Sequence, residues 1–94
     1  MPAFVLYCVD KPASLELRLA NREAHLAYIG ALADKIPFAG PMLNDAGEMA
    51  GSLIVIEVED RAAAEAVSAG DPYRKAGLFE RVEIRPIKQT LGRR

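Results

Sequence analysis

The chain has no tryptophan, one cysteine and one histidine among its 94 residues. A lone cysteine rules out an internal disulfide and a cysteine-rich metal site. One histidine among scattered acids lacks the paired ligand spacing of a zinc site, so no metal is expected. There is also no phosphate-cradling glycine loop, no dinucleotide fingerprint and no nucleophile elbow. Charge of one sign is also lacking. Twelve Lys and Arg against thirteen Asp and Glu leave a formal net charge of -1, which gives no electrostatic case for nucleic acid or an acidic membrane surface. No apolar run approaches the roughly eighteen residues of a membrane span. No basic leader precedes the first apolar run, so the expected location is the cytoplasm. Arg93 and Arg94 close the chain and read as a solvated tail rather than a binding arm.

What is present is an apolar share of 51%, ordinary for a soluble globular domain. The length suits one domain over residues 1–94. Residues 3–9 form a short run rich in aromatic and β-branched side chains, with both faces apolar, and predict a central strand. Cys8 within it reads as a small core residue, since nothing local lowers its pKa. Ser14 can cap a helix over residues 14 to about 33, whose apolar stripe is Leu15, Leu19, Leu26 and Ile29. Phe38-Ala39 offers a short edge strand, limited by Pro37, Gly40 and Pro41. Residues 44–47 make a turn that belongs, with Gly51, to a loop before a strand over 52–59. Asp60 caps a second helix over 61–69, Gly70 stops it, and a last strand runs over 79–86.

The order β-α-β-β-α-β predicts an α+β ferredoxin-like fold, a four-stranded antiparallel sheet with two helices on one face. The opposite face would carry Leu53, Val55 and one side of the first strand with nothing left in the chain to cover them. Each large apolar side chain left wet costs about 1.5–3 kcal/mol, so a homodimer through the open sheet face is the simplest cover.

His25 carries the most chemical information. Stepping 100° per residue along the first helix puts Arg18, Arg22 and His25 on one narrow seam, while Glu16 and Glu23 project away. No acid lies three or four residues from any of the three, so no helical ion pair neutralises the seam. It needs a partner from elsewhere in the fold, or a ligand, and Asp71 is the best protein candidate. Pro72 keeps Asp71 out of helical geometry, on a tight loop after the second helix. A carboxylate bonded to one imidazole nitrogen fixes the tautomer and leaves the other nitrogen as a general acid or base. Two readings stand for each residue around this pair. His25 and Asp71 are a functional dyad, or a hydrogen-bonded helix residue and a turn. Arg18 and Arg22 bind a carboxylate or enolate oxygen, or are a solvated helix edge. Ser52 faces the cleft or pairs with backbone, and Tyr73 closes a pocket or packs on the core.

These residues also carry a resemblance. Phe4-Val5-Leu6-Tyr7, Arg22-Glu23-Ala24-His25-Leu26, Ala39-Gly40-Pro41, Gly51-Ser52, Asp71-Pro72-Tyr73 and Gly77-Leu78, in that order and spacing, resemble the YCII-related (YciI-like) family of small α+β proteins. The resemblance covers nearly the whole chain. It implies a dimeric α+β barrel and a site on a histidine and an aspartate, which fall here on His25 and Asp71. One relative is a dehydrochlorinase of a chlorinated hydroxyhydroquinone, and the fold is similar to muconolactone isomerase. The expectation is a cofactor-independent lyase or isomerase that moves a proton on a small cyclic or phenolic molecule. The alternative is a non-catalytic binding or accessory protein that holds a small anionic metabolite in the same pocket.

Overall fold

A computed structural model of the chain describes residues 1–92; Arg93 and Arg94, read above as a solvated tail, lie outside the described residues. The elements are β1 (Ala3–Asp10), α1 (Leu15–Gly30), a 3-10 turn (Ala33–Lys35), β2 (Phe38–Leu43), β3 (Met49–Glu57), α2 (Arg61–Gly70), α3 (Pro72–Lys75) and β4 (Phe79–Ile87). The four strands form one sheet in the order β2-β3-β1-β4, every neighbour antiparallel. This is the ferredoxin-like α+β arrangement. Among the described residues no helix is long and apolar enough to cross a membrane.

Strand β1 sets the layering. Its residues alternate between half-buried and buried along its length, so Phe4, Leu6, Cys8 and Asp10 form one inward row. The register pairs Leu6 with Ile54 and Cys8 with Ser52, which puts Ser52, Ile54 and Ile56 on the same side of β3. Phe4, Leu6, Cys8, Ile54, Ile56, Val58 and Ala64 make the core, with Ile29 of α1 and Val67 of α2 packed against it. The helices therefore cover one face. Val5, Tyr7, Val9, Leu53 and Val55 lie half-buried on the other.

Several local expectations are corrected. Helix α1 ends at Gly30, short of the expected Ala33, which instead opens a separate 3-10 turn over Ala33–Lys35. Ser14 does not cap it through its side chain; the hydroxyl turns back to the Pro12 carbonyl at 3.2 Å. Leu19 and Leu26 are 53% and 48% exposed, while Arg18 and His25 are buried. The helix therefore turns Arg18 and His25 inward, because acids from other elements meet them there, while Arg22 of the same seam stays exposed. Strand β2 extends through Gly40 and Pro41 for six residues, which its edge position permits, since a proline there need not donate to the ladder. Gly51 belongs to β3 rather than to a loop. A Cβ there would stand 2.5 Å from the Cys8 carbonyl oxygen, so glycine lets β1 and β3 approach beside Ser52. Asp71, expected on a tight loop after the second helix, sits at a junction between two helices. It ends α2 and caps a further short helix, α3, that the sequence reading did not contain.

Candidate active site: a histidine–aspartate pair at a small apolar cavity

The inward row of β1 ends in a carboxylate, Asp10, and that row points toward α1. Arg18 meets it with two hydrogen bonds, Nε to Oδ2 at 2.7 Å and Nη2 to Oδ1 at 2.9 Å. Nη2 also donates to Ser52 Oγ at 2.9 Å. Only 2% of Arg18 is exposed. Burial disfavours its charge, but hydrogen bonding and attraction to Asp10, with smaller help from Tyr73, outweigh that penalty, and the net shift of its pKa is upward. Arg18 is thus a fixed guanidinium.

One turn of helix past Arg22, His25 Nδ1 lies 2.9 Å from Asp71 Oδ1. The same oxygen accepts the backbone N–H of Tyr73 at 2.9 Å, which caps α3. The start of α3 and a side chain of α1 therefore hold the carboxylate in place. Gly70 helps. A Cβ on it would stand 2.5 Å from the Tyr28 hydroxyl, which donates to the Val67 carbonyl at 2.8 Å and ties α1 to α2 beside Asp71.

Tyr73 joins the two ion pairs. Its ring stacks on the His25 imidazole with centroids 4.0 Å apart and planes 16° from parallel. The Arg18 guanidinium carbon lies over the same ring, 4.5 Å from its centroid. Two groups cannot share one face of a ring at those separations, so the phenol lies between them. Helical spacing makes the room, because residues seven apart stand about 10.5 Å apart along the axis on one side of the helix. Tyr73 is buried. Burial pushes its phenol above the ordinary 10, with the Arg18 and Arg22 charges in partial opposition, so it stays protonated at neutral pH. Cys8, in the layer beneath, is pushed up to about 12, first by burial and then by the Asp71 charge. It is no thiolate nucleophile.

A cavity of about 160 Å³ opens between α1 and the β2–β3 hairpin, lined by Arg18, Arg22, His25, Ser52 and Tyr73 and by apolar walls from Leu26, Ile29 and Pro41. The site residues read from the sequence are brought together there, with one distinction: Asp71 is not part of the lining and stands behind His25. Both readings of Tyr73 hold at once, since it is a core residue that also borders the cavity. Ser52 faces the cavity and is held by Arg18. The functional residue missed in the sequence is Asp10, which lies just past the strand expected over residues 3–9. Its signal was the two-residue alternation Phe4, Leu6, Cys8, Asp10.

Of the two imidazole nitrogens of His25, Nδ1 is engaged by Asp71 and Nε2 makes no hydrogen bond among the described residues. Among the described residues no fully buried side-chain nitrogen or oxygen lacks a partner, so Nε2 is not sealed off, and His25 borders the cavity. With the Asp71 carboxylate accepting from Nδ1–H, Nε2 carries the free lone pair. The arrangement can take up a proton from a molecule in the cavity and return it.

Residues 3–88 match the family model of the YCII-related domain. The chain belongs to the YCII-related family. It is 42% identical over 96 residues to Protein YciI of Escherichia coli O6:H1, a match spanning 94% of this chain and 98% of that protein. Among solved structures it is similar to the 5-chloro-2-hydroxyhydroquinone dehydrochlorinase of Burkholderia phenoliruptrix AC1100 in complex with 2,5-dihydroxybenzoquinone. That likeness has a TM-score of 0.86 and 36% identity over 92% of this chain and 93% of that one. An antibiotic biosynthesis monooxygenase matches at a TM-score of 0.57 and 10% identity, over 97% of this chain and 100% of that one. The second likeness is one of fold alone.

Proposed function

We propose that this protein is a cofactor-independent lyase or isomerase of the dehydrochlorinase type, in which His25 transfers a proton on a small cyclic or phenolic molecule and Asp71 orients it. The observation that carries the reading is His25 itself, with Nδ1 tied to a buried carboxylate and Nε2 open to an apolar cavity. The likeness to a dehydrochlorinase supports it. Loss of HX from a halogenated hydroquinone balances without an oxidant. One ring hydroxyl gives up its proton and the carbon bearing the halogen takes one up. A second hydroxyl then loses its proton as the carbon–halogen bond breaks, its electron pair leaving with the halide. One base near neutral pH can serve each proton in turn. An isomerase would use the same base to remove a proton at one carbon and return it at another.

The test is turnover of chlorinated hydroxyhydroquinones, read as chloride release, and of unsaturated lactones, read as isomerisation. Turnover falling about a hundredfold or more in His25→Ala supports the proposal. Tight binding without turnover in the parent would favour the accessory-protein reading and overturn the enzyme.

The proposal includes a homodimer through the outer sheet face. Val5, Tyr7, Val9, Leu53 and Val55 form a continuous half-buried apolar surface there by register, a patch of a kind that monomers seldom leave wet. Light scattering at micromolar concentration should give twice the 10.2 kDa chain mass; a clean monomer would contradict it.

A further inference from the structure

Arg22 differs from the rest of the site in being unspent. Arg18 is bound by Asp10 and Ser52 and His25 by Asp71. Arg22 makes no hydrogen bond or ion pair among the described residues, although its side chain borders the cavity. No aspartate or glutamate lines that cavity among the described residues either. The charge of Arg22 is nevertheless felt inside, where it acts on the buried Tyr73 hydroxyl. An apolar cavity bordered by one free cation and no free anion favours a negative group at its mouth, and a low-dielectric wall strengthens that preference.

Size narrows the ligand further. A cavity of about 160 Å³ is close to the roughly 150 Å³ void that holds one benzene in a protein interior. That volume suits a single six-membered ring. Leu26, Ile29 and Pro41 supply apolar walls for the ring faces, and Arg22 lies three residues before His25 on α1, so an anionic oxygen on the ring would be held near the proton-accepting nitrogen.

Resting on the proposed use of this cavity for a small ring compound, we propose that Arg22 is the specificity-determining residue of the site and selects single-ring molecules carrying an ionised oxygen, a phenolate, enolate or carboxylate, over their neutral counterparts. Arg22 reads the anion, while Arg18 holds the pocket wall.

Isothermal titration calorimetry with matched probes tests this. The anionic probes are 2,5-dihydroxybenzoquinone and benzoate, and the neutral counterpart is benzamide. In the parent the anions should bind more tightly than benzamide, and their affinity should fall as salt rises. Arg22→Gln should weaken both anions about fivefold to tenfold, leave benzamide within about twofold, and remove most of the salt dependence. Arg22→Lys should recover most of the loss. Because Arg22 is exposed and unpaired, its variants should fold as the parent does, which far-ultraviolet circular dichroism checks. Equal anion affinity in parent and Arg22→Gln, an equal loss for benzamide, or no anion binding by the parent would each overturn the inference. Its failure is separable from failure of the enzymatic reading. Turnover that depends on His25 with no Arg22 effect on binding sinks only the selectivity. Arg22-dependent binding without turnover of any ring substrate sinks only the enzyme.

Discussion

Arg18 and Asp10 form a buried two-point ion pair, with nitrogen–oxygen distances of 2.7 and 2.9 Å and only 2% and 5% of the two side chains exposed. A desolvated pair of this kind is costly to break from one side, because the remaining charge has neither partner nor water. Asp10→Leu should therefore destabilise the fold by about 3–5 kcal/mol, and Arg18→Met by a similar amount. The double substitution Asp10→Leu with Arg18→Met should cost clearly less than the sum of its parts, since it strands no charge. Urea denaturation of the three variants measures this, and additive losses would contradict the account.

Tyr73 separates ring from hydroxyl. Tyr73→Phe keeps the stack between Arg18 and His25 and should cost about 0.5–1.5 kcal/mol, the scale of one hydrogen bond. Tyr73→Ala removes a buried ring and should cost about 3–5 kcal/mol. Turnover should follow the same order, with the phenylalanine variant close to the parent and the alanine variant impaired, because the imidazole loses the surface it stacks on. A phenylalanine variant as inactive as the alanine variant would instead make the hydroxyl a participant in the chemistry.

Alkaline pH should loosen this protein in a defined window. Cys8 titrates near 9.0 when unfolded and is pushed up to about 12 in the fold by burial. The folded state thus favours the neutral thiol. That contribution is intact below pH 9 and is lost as pH rises toward 12. Tyr73 and Tyr28, both raised above 10 chiefly by burial, act in the same direction above pH 10. The melting temperature should fall progressively above pH 9, and Cys8→Ala, though less stable at pH 7, should decline less steeply. Iodoacetamide should not label Cys8 at pH 8 until the protein unfolds. Rapid labelling of the native protein would show that the thiol is neither buried nor raised.

Much of this was legible in the sequence where one periodicity acted alone. The alternation in β1 and β3, the Asp60 cap of α2 and the helical seam of Arg18, Arg22 and His25 follow from local geometry. The pairing of His25 with Asp71 spans 46 residues, yet it was reachable because the seam lacked a helical acid and Asp71 followed a helix stop. What was not legible depended on two elements competing for one surface. The leucines of α1 look like the buried stripe by hydropathy. Arg18 and His25 are buried instead because Asp10 and Asp71 supply buried counter-charges from β1 and from the α2–α3 junction. Helix α3, only four residues long, is too short for any periodic signal. The length of β2 was obscured because Gly40 and Pro41 argue against a strand wherever the partner geometry is unknown.

The central claim is that Asp71 holds the proton on Nδ1 and leaves Nε2 free to accept one from the cavity. Because His25 is the only histidine in the chain, nitrogen-15 NMR reads its tautomer without any question of assignment. At a pH where the imidazole is neutral, the account predicts that the Nδ1–H form dominates in the parent, and that Asp71→Ala loses this preference while the far-ultraviolet circular dichroism still reports the fold. A dominant Nε2–H form in the parent would leave no lone pair facing the cavity and would contradict the account.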